Sequence, residues 1–466
     1  MLVKLVEKLH GIKATVNDTT NSLSTKIIFG NNKHPQNEFI YTDLSQEFPG
    51  YKFENGKSTY KGYETGEGGE VWALPGMYED VETFDVASMH PSTVIWLKLF
   101  GERYTKVFED MVILRKAIKH GDFESARKMF DGALAEFLDN EDDAAVLGDA
   151  LKIVINSIYG LTSASFDNAF RDPRNIDNIV AKRGALFMID LKEEVEKKGY
   201  KVIHIKTDSI KVEKPDDYIR NFICEYGKSR GYEFEIEHKF EKICLVNNAV
   251  YIAKVAMDDP DWIKACKKAE KKGKPKPTRW TATGTQFAVP YVFKTLFSHE
   301  PLIFDDYCET KSVASSLYLD FNENAPDISL YENLKNWRDW SKNNIELTKK
   351  AKTALQEYSN LTDEEIDAEI AKGHNYQFVG KVGLFCPMIS GAGGGILLRE
   401  QNGKMYSATG ADGFRWKEAE TVKELHQEDM IDIVYYETLV SKAIATISQF
   451  GDFDSFVDQV PNEMVA

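Results

Sequence analysis

The stretch VIHIKTDSIKV, residues 202–212, alternates apolar and polar side chains on both sides of Thr207-Asp208. That is the pattern of two short strands joined by a tight turn. With the alternation running up to the turn, His204, Lys206 and Asp208 share one side of the hairpin. Asp208 is then a lone carboxylate at a turn, and Lys206 stands two residues earlier, where a metal-binding pair carries its second acid. The partner acid has to come from elsewhere in the chain. Two carboxylates brought together repel, raise each other's pKa, and are relieved by a divalent cation.

The candidate partner lies in ETFDVASMHPSTVIW, residues 82–96. Asp85 follows a β-prone lead-in and precedes a turn at His90-Pro91, which puts it at a strand end, where side chains reach clefts. The plainer reading makes Asp85 the cap of a helix beginning near Pro91. In ALKIVINSIYG, residues 150–160, Lys152, Asn156 and Tyr159 fall at i, i+4 and i+7, so one helix face offers a cation, an amide and an aromatic ring. A triphosphate and a stacked base would use those groups; a helix with an exposed Lys and a half-buried Tyr would look the same. In ILRKAIKHG, residues 113–121, Arg115 and Lys119 share a face without an intervening acid and suit an anion.

Around these blocks the chain has 466 residues, 42% hydrophobic and 12% aromatic, enough for two to four packed units. No run of about 18 apolar residues occurs, and MLVKLVEKLHGIK lacks a signal peptide's apolar block. The expectation is a soluble, cytoplasmic protein without a membrane span. Cys224, Cys244, Cys266, Cys308 and Cys386 form no CxxC pair, which fits a reducing compartment. The net charge of −16 opposes a nucleic-acid partner on average. One basic cluster runs against it: KKAEKKGKPKPTRW, residues 267–280, carries Lys271, Lys272 and Lys274 among others, and is either a solvated loop or a phosphate-backbone contact. Gly273, Pro275 and Pro277 argue against a stable helix there.

Residues 1–84 read as strands and loops, with TKIIFG (25–30) and EFIYTDL (38–44) as β-prone pieces. Residues 105–159 read as long amphipathic helix, and a second helix spans 178–198 with Gly199 as its stop. YEFEIEHKFEKICLV, residues 232–246, reads as strand and places Glu233, Glu235 and Glu237 on one face. Residues 330–372 are helical, with a capping box at Thr362 and Glu365. GAGGGI, from Gly391, is no phosphate loop because no GK[ST] follows, and the histidines form no HExxH.

In order and spelling, DVASMHPS, KIVINSIYG and HIKTDS resemble motifs A, B and C of family B DNA polymerases, written DxxSLYPS, KxxxNSxYG and YxDTDS, and are most similar to the phage-encoded members. The resemblance covers about residues 68–251. It implies an α+β right-hand polymerase with an antiparallel palm sheet, short helical fingers and a mixed thumb and C-terminal region. The implied divisions are 1–84 (strand/loop lead-in), 85–104 (palm, motif A), 105–165 (fingers), 166–260 (palm, motif C) and 261–466 (thumb and C-terminal region). It implies that Asp85, the Val86 carbonyl and Asp208 hold two Mg²⁺ ions, with Mn²⁺ as an alternative, for phosphoryl transfer. Ser88, Met89, His90, Arg115, Lys119, Lys152, Asn156 and Tyr159 then bind the nucleotide. Gly68, Gly69, Tyr251 and the lysines at 271, 272 and 274 bind DNA.

The departures are specific. Lys206 replaces the first acid of motif C and is expected to pair with Asp208 or a phosphate. His90 replaces the Tyr beneath the sugar, Ala249 replaces the Lys of the KxY primer-grasping motif that Tyr251 resembles, and Gly66 replaces the Tyr of YxGG. DVETF (80–84) imitates a nuclease DxE but lies too close to Asp85, which leads to the expectation of a core without its own exonuclease; a separate exonuclease subunit, a truncated chain and a naturally nuclease-free enzyme all fit. The implied activity is addition of dNTPs to a primer on a DNA template, in phage replication in the host cytoplasm. The alternatives are a DNA-binding scaffold or split-polymerase subunit with weakened catalysis, and an RNA-incorporating enzyme.

Overall fold

In the computed structural model, residues 1–66, 68–321 and 328–457 are described. The chain is α+β with antiparallel sheets and divides into two compact units, Met1–Ala282 and Thr283–Ala466. The first unit therefore runs some way past the expected division at 261.

The first fifty residues overturn the expected strands. They form helices α1 (Leu2–His10), α2 (Thr20–Phe29) and the single turn α3 (Leu44–Glu47). TKIIFG lies in α2 because Thr19 caps the helix, accepting from the Ser22 N–H, and Ser24, Ile27, Ile28 and Phe29 face inward. Helical burial of that stripe outweighs the β preference of its isoleucines. EFIYTDL forms no strand. A small sheet follows, β1 (Lys52–Glu54), β2 (Lys57–Tyr60) and β3 (Tyr63–Glu64).

The central sheet has seven strands in the order β10-β9-β8-β5-β7-β6-β4. They are β4 (Glu70–Ala73), β5 (Gly76–Val86), β6 (Lys201–Thr207), β7 (Ser209–Glu213), β8 (Phe234–Leu245), β9 (Tyr251–Val255) and β10 (Trp280–Thr283). One face, with Phe84, Val202, Ile205, Ile210 and Val212, joins a helical core that includes Leu186 and Phe187. The helices of this unit are α4 (Met89–Trp96), α5 (Gly101–Lys119), α6 (Phe123–Lys128), α7 (Glu141–Thr162), α8 (Ile179–Lys197), α9 (Asp217–Lys228) and α10 (Pro260–Lys271). Gly199, at φ 88°, follows α8 as expected.

The long helix expected over 105–159 is broken into three, α5, α6 and α7. The α5 helix stops at Lys119, before Gly121 at φ 75°. The α7 helix restarts where Asn140 accepts from the Asp143 N–H at 2.8 Å, and α5 and α7 pack together. Among the described residues α7 alone has the length and hydropathy of a membrane span. It opens on Glu141, Asp142 and Asp143 and buries Leu147, Leu151, Val154 and Ile158 in the core. The basic cluster is half helical: Pro260 and the Asp259 cap start α10, so Lys267, Lys268 and Lys271 lie on it, and Gly273 (φ 61°) ends it.

The second unit, which the sequence leaves open, holds a five-stranded antiparallel sheet in the order β14-β13-β11-β12-β15. Its strands are β11 (Glu309–Asp320), β12 (Tyr376–Met388), β13 (Ile396–Gln401), β14 (Lys404–Ser407) and β15 (Arg415–Glu418). Helices Ser329–Lys342, Lys349–Glu357 and Asp363–Lys372 fall between β11 and β12, the last with the expected Thr362/Glu365 capping box.

Candidate active site

Asp85 is the penultimate residue of β5 and lies opposite Ser209 of β7 on one side and Glu235 of β8 on the other. The Val86 N–H donates to the Asp208 carbonyl at 2.9 Å, so the two acids expected to work together are neighbours across a strand pair. Asp85 caps no helix. The chain turns through Ser88, whose φ of 63° and ψ of 58° are left-handed, and α4 begins at Met89. A non-glycine residue held there is strained, and such strain concentrates at functional sites.

The hairpin is tighter than uninterrupted alternation implies. Lys206 pairs with Ser209, and the Asp208 N–H donates to the Lys206 carbonyl at 2.8 Å around Thr207, whose φ is 56°. This γ-turn breaks the alternation before Asp208. His204 and Lys206 still share a face, but Asp208 sits in the turn, and among the described residues Lys206 makes no ion pair with it. The expected Lys206–Asp208 pair is not formed.

The electrostatics follow from crowding. Burial first, then Asp208, Glu237 and Glu235, push the Asp85 carboxyl up to about 7, opposed by Lys119. Burial and Glu237 also raise Asp208, opposed by a backbone hydrogen bond. Clustered acids that cling to protons suit a cation.

Glu237 owes its place to a β-bulge. The register slips from Thr83↔His238 to Phe84↔Ile236, so Glu237 is the extra residue, and a bulge re-aims its side chain. Glu235 and Glu237 both act on Asp85, while Glu233 lies just before β8, which starts at Phe234. Glu233 pairs with Lys116, and Glu235 lies 3.6 Å from Lys119. Both ties run to α5, one from the residue before β8 and one from β8 itself.

Above the acids, a cavity of about 180 Å³ is lined by Ser88, Met89, His90, Arg115, Lys152 and Asn156, together with Asp208. Arg115 and Lys119 face the sheet from α5, and Lys152 and Asn156 do so from α7. Tyr159, one turn further along α7, stacks on His90 with ring centroids 4.0 Å apart and planes 12° apart. Burial lowers the His90 pKa, which favours the neutral ring, and among the described residues the buried Nε2 has no hydrogen-bond partner.

The GEGG loop reaches the hairpin. A Cβ on Gly69, itself at φ 133°, would stand 3.0 Å from Thr207 Cγ2 and 3.2 Å from its Cα. Buried Lys182 holds this loop, donating from Nζ to the carbonyls of Thr65 at 3.0 Å and Gly66 at 2.7 Å. Gly68 lies in the same loop, and residue 67 is outside the described residues.

Tyr251 opens β9 with its hydroxyl pKa raised by burial and Glu237, and its ring lies 5.6 Å from the Lys211 ammonium. Lys271 ends α10, and Lys272 and Lys274 follow it.

Sequence reasoning missed Lys182 and Lys211. Lysine in a short strand or helix ordinarily reads as solvent-facing, yet Lys211 is 6% exposed. Burial lowers its pKa to about 8; Lys206 adds to the lowering, while Glu237 and Asp85 oppose it.

No family model matches the chain, and no curated protein matches it. Among solved structures 180 chains match. One is the family B DNA polymerase of the hyperthermophilic archaeon Pyrobaculum calidifontis, at 12% identity and a TM-score of 0.39, with 99% of this chain and 55% of that chain covered. The chain thus spans about half the length of that polymerase.

Proposed function

We propose that the chain is a DNA-directed DNA polymerase that extends a primer 3′ end with dNTPs. The observation that carries this reading is the juxtaposition of Asp85 and Asp208 beneath a cavity whose walls hold Arg115, Lys152 and Asn156. Acids on one side and, on the other, cations without a carboxylate partner among the described residues match a triphosphate held with divalent cations.

The donor set fits two Mg²⁺ ions, or Mn²⁺. Asp85, Asp208 and the Val86 carbonyl would hold them, and Glu237 would offer the acid that Lys206 does not. When bound, the ions supply charge neutralisation at the transferring phosphate and activation of the primer hydroxyl. The chain's own groups do the rest. Arg115 and Lys152 bind and orient the triphosphate, with Lys119 shared between it and Glu235. Asn156 and the His90–Tyr159 stack form the wall for sugar and base, and Ser88 and Met89 set its entrance. Gly69 and Gly68 let a template backbone approach the hairpin closely. Lys271, Lys272 and Lys274 meet the phosphate backbone further out.

Primer extension on primed DNA with Mg²⁺ tests the reading, with Asp208→Ala and Lys206→Asp beside wild type and rNTPs beside dNTPs. The expected result is extension by wild type with dNTPs and a loss of at least about 10³-fold in Asp208→Ala. A silent wild type that gains activity as Lys206→Asp would instead make the chain a polymerase-like scaffold.

A further inference from the structure

The face of the sheet that carries Asp85 also carries two lysines that the metal site does not use. Register puts Lys206, Ser209, Asp85 and Glu235 in one row across β6, β7, β5 and β8. His204, Lys211, Thr83 and His238 occupy the next row. The intervening residues Ile205, Ile210, Phe84 and Ile236 turn to the opposite face, into or against the helical core. Lys206 and Lys211 are therefore same-face neighbours, one at the exposed hairpin end and one with its stem buried.

Two features of the pair call for an outside anion. Among the described residues neither ammonium makes a hydrogen bond or an ion pair with any carboxylate, although Lys211 is 94% buried. Burying a cationic stem beside a second cation is unfavourable unless something negative is to meet them. The remaining neighbours do not neutralise them. His204 is held uncharged by burial, with Nε2 on the Asn248 carbonyl at 3.2 Å, and the Tyr251 ring centroid lies 5.6 Å from the Lys211 ammonium. Glu237 and Asp85 act on Lys211 at longer range, and they are the acids a divalent cation would claim.

We infer that Lys206 and Lys211, beside the Tyr251 ring, form a strip that binds the phosphodiester backbone of the strand whose 3′ end lies at Asp85 and Asp208. This rests on the polymerase reading for the identity of the strand. It also gives Lys206 a use: the charge reversal beside Asp208 removes one acid from the metal site and adds one cation to the strand site. The two lysines are positioning residues. They fix the strand end relative to the acids and touch no reacting atom.

The test is binding of a fluorescent primed DNA in EDTA, followed by anisotropy over a salt series, for wild type, Lys206→Gln, Lys211→Met, Lys211→Arg and the Lys206→Gln/Lys211→Met double variant. Each neutral single variant is expected to weaken binding and to lower the slope of log K against log salt by about 1, and the double variant by about 2. Lys211→Arg should bind as wild type. Mn²⁺ affinity, read by electron paramagnetic resonance, and KM for dNTP should hold. Exposed Lys206→Gln does not threaten folding, so its slope decides the matter even if Lys211→Met fails to fold. An unchanged slope in Lys206→Gln overturns the strip, as does a change confined to Mn²⁺ affinity. If wild type binds DNA through these lysines but does not extend it, the strip stands and the polymerase reading falls. If the double variant extends with an unchanged KM for primed DNA, the polymerase reading stands and the strip falls.

Discussion

Asp85 shows how a site of this kind opposes its own fold. An unfolded aspartate titrates near 3.9, whereas in the fold burial and Asp208 push Asp85 up to about 7. Between those values the folded chain binds more protons than the unfolded one. The Asp85 contribution to stability is therefore full below about pH 4 and is lost as pH rises to about 7. Asp85→Asn should flatten that dependence and stabilise the metal-free protein at pH 8 by about 1–2 kcal/mol, a figure discounted for solvent screening, while abolishing extension. Urea midpoints from pH 4.5 to 8 check this; a variant no more stable than wild type at pH 8 would mean the acids are not crowded. At this scale the placement of Asp85, Asp208, Lys152 and Tyr159 was legible because each lies in a short block whose strand end, turn or helical spacing is local. Lys182 and Lys211 were not, because what distinguishes them is burial by distant segments; Glu237 was legible on its strand, but the bulge at it was not, because a bulge is a backbone event that alternation cannot announce.

Among the elements, the ties of α5 to Glu233 and Glu235 and the contact between the glycine loop and the hairpin differ in weight. Lys116–Glu233 and Lys119–Glu235 are roughly half exposed, and such pairs contribute about 0–1 kcal/mol. Lys116→Ala is expected to change stability by less than about 0.5 kcal/mol. Gly69→Val puts a branched side chain at φ 133° against the Thr207 backbone and should cost about 2 kcal/mol or more, with extension falling as the hairpin moves. Denaturation curves and primer extension on both variants would reverse this ranking if α5 were held rigidly to the sheet. The element reading of the sequence succeeded at the hairpin, where period two is unbroken over several residues. It failed over 1–50, where short β-branched runs are ambiguous until the Thr19 cap and the buried face of α2 decide them.

For the whole molecule, the division after Ala282 gives the first unit its own core and both acids. A fragment ending at Gly284, which keeps β10 whole, is expected to unfold in one cooperative urea transition and to bind Mn²⁺ as the full chain does. A broad, non-cooperative transition would show that the second unit is needed to complete the first. The second unit was not legible because its long strands carry Gly and exposed aromatics, so neither face reads as the buried one.

The sheet order carries a kinetic consequence. β5 is central, and its neighbours β7 and β8 return to it only after the whole helical stretch from α4 to α8 has intervened. Closing such loops is slow, since the entropy of bringing the ends together is lost before any pairing repays it. Asp85 and Asp208 meet only when that closure is complete. The ability to capture a divalent cation should therefore appear in refolding at the rate of sheet closure and never before it, which makes cation capture a clock for the slowest pairing in the fold.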